Sequence, residues 1–199
     1  MQTYQNKIWI FDDIIDKKFQ DEIENVLVGY DSGFSWYLIP EIAPPLKGEP
    51  ITVTGRPALS HSIVNRDGQN SNFHEFIKPM VEEACRKTNY NFSVFSQGRT
   101  FLQFPLNLKD RHILDELHVD NRITPHLVVL YYVIDADGDT IIYENHYSNE
   151  KSVPEHDKRI IKKKVTPKKG RVVLFDGWYW HTAEQPINGN RCIINYNVM

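Results

Sequence analysis

Near the C-terminus, Arg191, Ile193, Asn195 and Asn197 alternate with Cys192, Ile194, Tyr196 and Val198. Successive side chains of an extended chain point to opposite faces, so this pattern predicts a strand with one polar and one largely apolar face. Further β-type runs occur at residues 100–104, 127–134, 140–144, 160–165 and 171–175. Turn chemistry separates them: Asp137-Gly138-Asp139, Pro167 with Gly170, and Asn188-Gly189-Asn190. Strands at this spacing with no helix between them predict an antiparallel sandwich or barrel. Upstream the period becomes helical. Asp16 can cap a helix over residues 17–28, with Phe19, Ile23, Val26 and Leu27 on one side and Gly29 at its end. Residues 72–87 read the same way, with a stripe of Phe73, Phe76, Ile77, Met80, Val81 and Ala84. Between the helices, residues 40–69 hold Pro40, Pro44, Pro45, Pro50 and Pro57 without a regular period, which predicts a loop-rich stretch. The expected fold is mainly β, a jelly roll or barrel with flanking N-terminal helices. It is read as one domain over residues 1–199, in which 1–98 form a helical and loop-rich support and 99–199 the core.

Composition narrows this little. A chain of 199 residues suits one domain, and 41% hydrophobic with 25% charged residues suits a packed core. The early apolar run Ile8, Trp9, Ile10, Phe11 stops at Asp12 and Asp13, too short for a leader or a membrane span, so no membrane partner is expected. Cys85 and Cys192 stand far apart with no CxxC spacing, which points away from disulfide scaffolds and zinc knuckles and toward a reducing, cytoplasmic setting. The net charge of −3 conceals a stripe between residues 158 and 171: Lys158, Arg159, Lys162, Lys163, Lys164, Lys168, Lys169 and Arg171, with no acid among them. Such a stripe could attract nucleic acid. The favoured interpretation is a solvated edge strand and turn, with Ile160, Ile161 and Val165 packing and the lysines opposing edge-to-edge association.

Candidate chemistry begins at His118-Val119-Asp120. In an extended segment, residues two apart share a face, about 6.5 to 7 Å apart at the backbone, so imidazole and carboxylate can converge on one metal ion. The tripeptide alone fits equally a surface histidine beside a turn-capping aspartate. His181 changes the balance, because it follows the 171–175 run and an Asp176-Gly177 turn, and Arg191 opens the last strand ten residues later. Two histidines and one carboxylate are the donor set of non-heme Fe(II) oxygenases, with open positions left on the metal. An arginine at that remove can offer a two-pronged contact to a carboxylate. His126 is read as structural, and His61, His74, His112, His146 and His156 as solvent-exposed. Trp178, Tyr179 and Trp180 either line a substrate mouth or close the end of the barrel.

The ordered set His118-Val119-Asp120-Asn121, Leu130-Tyr131-Tyr132-Val133, Asp137-Gly138-Asp139-Thr140, Pro167 through Asp176, His181 and Arg191 resembles the 2-oxoglutarate/Fe(II)-dependent dioxygenases of the prolyl 4-hydroxylase-like type. The resemblance covers roughly residues 100–199. It implies a double-stranded β-helix (jelly-roll) core, Fe(II), 2-oxoglutarate as co-substrate, and O₂. It also implies hydroxylation of a peptide, amino acid or small molecule with release of succinate and CO₂. His118, Asp120 and His181 then correspond to the iron ligands and Arg191 to the anchor of the distal 2-oxoglutarate carboxylate. Tyr132 matches a tyrosine that helps hold that carboxylate, and Asn195 and Gln103 are read as cavity-lining co-substrate contacts. The chain departs from the pattern at three places. Leu108 stands where some hydroxylases carry a tyrosine, Asp139 replaces one glycine of a pair, and Asn197 stands where the nucleic-acid-repair branch has a second arginine. Asp120 is intact, unlike in related halogenases. Two alternatives stay open: a non-catalytic jelly-roll binding module, and a cupin-like enzyme using another divalent metal. Neither the N-terminal half nor residues 143–158 carry a motif that names the substrate, and nothing in the sequence sets the oligomeric state.

Overall fold

A computed structural model describes residues 6–42, 56–65, 67–105 and 114–199. Its strands in chain order are β1 (Ile8–Asp12), β2 (Tyr37–Ile39), β3 (Ala58–Asn65), β4 (Gly68–Gln69), β5 (Phe95–Gln103), β6 (Leu127–Tyr132), β7 (Thr140–His146), β8 (Ile161–Val165), β9 (Arg171–Asp176), β10 (Tyr179–Ala183) and β11 (Arg191–Val198). The helices are α1 (Lys17–Val28) and α2 (Phe73–Lys87). The main sheet runs β1-β9-β6-β11-β5-β3-β2, with β4 attached to β3, and a smaller sheet runs β10-β7-β8. Every pairing between these strands is antiparallel, so the fold is the mainly β jelly roll that the sequence pattern predicts.

The two faces of the main sheet do different work. Leu127, Val129 and Tyr131 of β6 and Cys192, Ile194, Tyr196 and Val198 of β11 join Ile23 and Leu27 of α1 and Ile77, Met80, Val81 and Ala84 of α2 in one buried cluster. The helices therefore cover the outer face. Asp16 starts α1 by accepting a hydrogen bond from the Phe19 N–H at 2.8 Å, a cap worth about 1 kcal/mol. The opposite residues of the same strands, Val128, Leu130, Tyr132 and Ile193, pack between the sheets with Phe101, Ile142, Val173 and Phe175.

Several boundaries differ from the expectation. Residues 58–65 lie in the stretch read as loop, yet they form β3, which pairs with β5 along most of its length. A register shift between Ser62 and Val64 breaks the period-two pattern, and that is why the run was hard to see in sequence. Pro44, Pro45 and Pro50 lie outside the described residues. The run at Ile8 is strand β1, paired with β9, and β5 begins at Phe95. The division at residue 98 does not hold for the sheet, because β1 to β4 all belong to it. The strand after Gly177, β10, was not anticipated. Its Tyr179 and Trp180 are buried, so they close the barrel.

The basic stripe lies along edge strand β8 and the turn into β9, as expected of a solvated edge, but of the three apolar residues expected to pack only Val165 is buried, while Ile160 and Ile161 are exposed. Its cations meet acids of the body: Lys158 with Glu155 at 2.7 Å, Lys164 with Glu184 at 2.7 Å, Lys168 and Arg171 with Asp12 at 3.1 and 2.7 Å, and Lys169 with Asp21 and Glu24.

Gly98 of β5 stands opposite Tyr196 of β11, and a Cβ there would fall 2.6 Å from the Tyr196 ring. The ring is fully buried and its hydroxyl lies 3.0 Å from His74 Nδ1, so it cannot swing aside freely. Gly98→Ala is expected to cost about 2 kcal/mol, lowering Tm by roughly 4–8 °C in thermal denaturation. An unchanged Tm would show that this contact yields without cost.

Candidate active site

The segment from residue 114 to 120 alternates between buried and half-buried side chains. Leu117 and Val119 pack into a small cluster with Ile141, Tyr143 and Trp180. His118 and Asp120 are thereby turned together to the other side, toward the space between the sheets. The segment runs antiparallel to β10: the His118 N–H donates to the His181 carbonyl and the His181 N–H to the His118 carbonyl, both at 3.0 Å. This reciprocal pair brings the second imidazole beside the first.

Hydrogen bonds fix which nitrogen of each ring faces inward. His118 Nδ1 lies 2.8 Å from the Glu116 carbonyl and His181 Nδ1 lies 2.9 Å from the Tyr179 carbonyl. A carbonyl can only accept, so each Nδ1 carries its hydrogen and each Nε2 is left to face the cluster. The two Nε2 atoms stand 3.6 and 3.8 Å from Asp120 Oδ1, and one ligand atom from each residue lies within 4.8 Å of the others. Asn195 donates to the second oxygen, Asp120 Oδ2, at 3.1 Å. With its amide NH₂ turned toward that oxygen, Asn197 donates as well, at 2.9 Å.

The charges are tightly coupled. Burial alone would raise the Asp120 carboxyl, but the two imidazoles outweigh it and hold the group well below the usual carboxylate range. For His118, burial would lower the value, and the hydrogen bond and charge of Asp120 reverse that to a net increase.

The trio opens on a cavity of about 290 Å³ between the sheets. At another part of its wall Arg191 is 2% exposed. Its Nε donates to the Gly138 carbonyl at 3.0 Å, Nη1 to Gln103 Oε1 at 2.6 Å and Nη2 to Thr140 Oγ1 at 2.8 Å. Two of its five N–H groups therefore remain for a ligand. Asp115, a buried acid on the same wall, accepts from Gln103 at 3.1 Å and from Gln185, and lies 3.8 Å from Arg56. Burial raises its pKa, while the Arg191 and Arg56 charges pull it down.

The structure thus gathers His118, Asp120, His181, Arg191, Gln103 and Asn195 around one cavity. Asn195 touches Asp120, and Gln103 braces Arg191. Tyr132 is placed differently: its ring lies under the Arg191 guanidinium, 5.8 Å from centroid to Cζ, and its hydroxyl donates to Thr140 at 2.8 Å. It supports the arginine without lining the cavity. His126 is buried, with Nδ1 3.0 Å from the Thr124 carbonyl, in keeping with a structural role. His74 is buried against Tyr196 where exposure was expected, because α2 turns it onto the sheet. His112 and Leu108 lie outside the described residues. Sequence reasoning missed Asp115, Thr140 and Arg99, all on the cavity wall. Arg99 was accessible through the two-residue period from Gln103. Asp115 carried no signal, since its partners are distant in the chain.

No protein-family model matches the sequence, and no curated protein does. Solved structures match over almost the whole chain. A Trichoplax adhaerens prolyl hydroxylase, in complex with a hypoxia inducible factor oxygen degradation domain peptide fragment, is 18% identical with a TM-score of 0.61, over 98% of this chain and 84% of that one. The viral collagen prolyl hydroxylase of Paramecium Bursaria Chlorella virus-1, as its 2OG complex, is 13% identical with a TM-score of 0.57, over 98% of both chains. An oxidoreductase of the 2OG-Fe(II) oxygenase family from Burkholderia pseudomallei is 9% identical with a TM-score of 0.65, over 98% of this chain and 86% of that one. The chain has the fold that these oxygenases share.

Metal binding requires both imidazoles neutral. With its pKa raised, His118 keeps its proton to a pH above the ordinary value of about 6.5. Mn(II) affinity, measured by calorimetry on the metal-free protein, should therefore begin to fall on acidification at a pH above about 6.5, by roughly tenfold per pH unit for one displaced proton. A midpoint at or below that value would contradict the coupling with Asp120.

Proposed function

We propose that this protein is an Fe(II)- and 2-oxoglutarate-dependent dioxygenase that hydroxylates a peptide, amino acid or small molecule. The observation that carries this reading is the convergence of two Nε2 atoms and one carboxylate oxygen beside a cavity whose wall also holds a buried, braced arginine. The donor set fits ferrous iron: two neutral imidazoles and one hard oxygen, each oriented by a second hydrogen bond. His118, Asp120 and His181 would hold the metal. Iron in that position supplies the oxidising chemistry, in which 2-oxoglutarate and O₂ become succinate and CO₂ while one oxygen atom is inserted into a substrate C–H bond.

The chain's own residues do the rest. The Glu116 and Tyr179 carbonyls lock the two rings, so no tautomer change is needed on binding. Asn195 holds Asp120 Oδ2, leaving Oδ1 for the cluster. Arg191 presents its two free N–H groups to the distal carboxylate of the keto acid, and Gln103, Thr140 and the Gly138 carbonyl prevent the fork from turning. Asp115 would repel that carboxylate if left bare, but Arg56 and two glutamine amides compensate its charge. Phe101, Val128, Leu130, Phe175 and Ile193 form an apolar wall that limits water around the cluster. A cupin-like enzyme with another metal would have no use for Arg191 so braced, which favours the 2-oxoglutarate reading. Burial pushes the Cys85 and Cys192 thiols up to about 12, so neither is a ready nucleophile.

His118→Ala and His181→Ala should each abolish succinate release from 2-oxoglutarate in the presence of Fe(II). Retained turnover in both would defeat the assignment. Arg191→Lys should raise the 2-oxoglutarate KM by about tenfold or more, because a lysine cannot reproduce the planar fork.

A further inference from the structure

Strand β5 turns Arg99, Phe101 and Gln103 to the cavity. Gln103 is opposite Arg191 in register, whereas Arg99 is opposite Asn195, whose amide holds Asp120. Four residues of strand, about 13 Å, separate these two positions. Arg99 therefore lies at the metal-cluster end of the cavity, away from the arginine assigned to the keto acid.

The other arginines around the cavity are engaged. Arg191 donates to Gly138, Gln103 and Thr140. Arg56 stands 3.8 Å from both Glu41 and Asp115, and Arg122 lies over the Tyr147 and Trp180 rings at 5.7 and 5.3 Å. Among the described residues Arg99 makes no hydrogen bond, ion pair or ring contact; its one charge interaction is a longer-range one with Asp120. Asp120 is itself supported by asparagine amides, so it does not need Arg99 as a hydrogen-bond partner. The guanidinium of Arg99 is half-buried on the cavity lining, its nitrogens are not sealed from solvent, and none of its five N–H donors is committed to the protein, so they stand available to a ligand entering the cavity.

The surroundings select the anion. A phosphate dianion calls for several converging donors, and here there is one planar fork on a sheet face that also carries Phe101, Ile193 and Leu130. That combination suits a single carboxylate on an otherwise apolar molecule. We propose that Arg99 is a substrate-binding residue, and that the primary substrate is a small carboxylic acid held by its carboxylate beside the His118–Asp120–His181 cluster. An internal residue of a peptide, which has no free α-carboxylate, would leave Arg99 unmatched. This rests on the oxygenase reading of the cavity.

The test uses the whole protein under argon, loaded with Fe(II) and saturated with 2-oxoglutarate so that the Arg191 position is filled. A library of monocarboxylic acids and their matched primary amides is titrated by ligand-observed NMR, with inorganic phosphate as a competitor. At least one acid should bind about tenfold or more tighter than its amide. Arg99→Gln should erase that preference, and Arg99→Lys should retain part of it, because the charge survives while the fork does not. Thermal denaturation of both variants shows whether each is folded, and the lysine variant decides if the glutamine variant is not. The proposal is overturned if acids and amides bind alike throughout, if the preference survives Arg99→Gln, or if phosphate displaces the acid. Failure to take up Fe(II) or 2-oxoglutarate strikes the oxygenase reading instead. In that event the same acid and amide comparison on the unloaded protein decides Arg99 separately.

Discussion

The reciprocal backbone pairing of His118 with His181 is the constraint on which the rest depends. Two hydrogen bonds of 3.0 Å bind a segment between β5 and β6 to strand β10, and neither partner could supply the site alone. Because the pairing is antiparallel and in register, the two rings lie side by side, with centroids 4.5 Å apart. Each ring then fastens its Nδ1 to the carbonyl two residues earlier in its own segment. A slip of one residue would send one imidazole to the opposite face and dissolve the cluster. Leu117, Val119 and Trp180 oppose that slip, since moving them would expose a buried apolar cluster.

The main sheet extends the same economy to the cavity. Each strand devotes one face to the helices and the other to the interior, so stability and chemistry are separated by a single peptide step. In β11, Cys192, Ile194 and Tyr196 anchor the sheet to α1 and α2, while Arg191, Ile193 and Asn195 line the cavity. The polar groups of the interior are tolerated because they satisfy one another: Arg191 with Gln103 and Thr140, Gln103 with Asp115, Asn195 with Asp120. Arg99 stands apart from that network, which is what marks it.

Much of this was legible in the chain. The period-two alternation of residues 191–198 told both faces of β11 correctly, and Asp16 and Gly29 bounded α1 at the observed residues. The spacing of His118 and Asp120, the turn before His181 and the position of Arg191 brought out the cluster and its arginine. Three kinds of feature stayed hidden. β3 carries a register shift, so its pattern has no single period. β10 is read as a row of aromatics until its pairing with β7 is known. Tyr132 has the right strand and face, but its hydroxyl turns to Thr140, a choice made by tertiary packing that no local pattern records.

A crystal structure of the protein after anaerobic addition of Fe(II) and 2-oxoglutarate tests the central claim most directly. The account predicts one metal bonded to His118 Nε2, His181 Nε2 and an Asp120 oxygen, with the far carboxylate of the keto acid on Arg191. Metal bound at other residues, or a keto acid that makes no contact with Arg191, would contradict it.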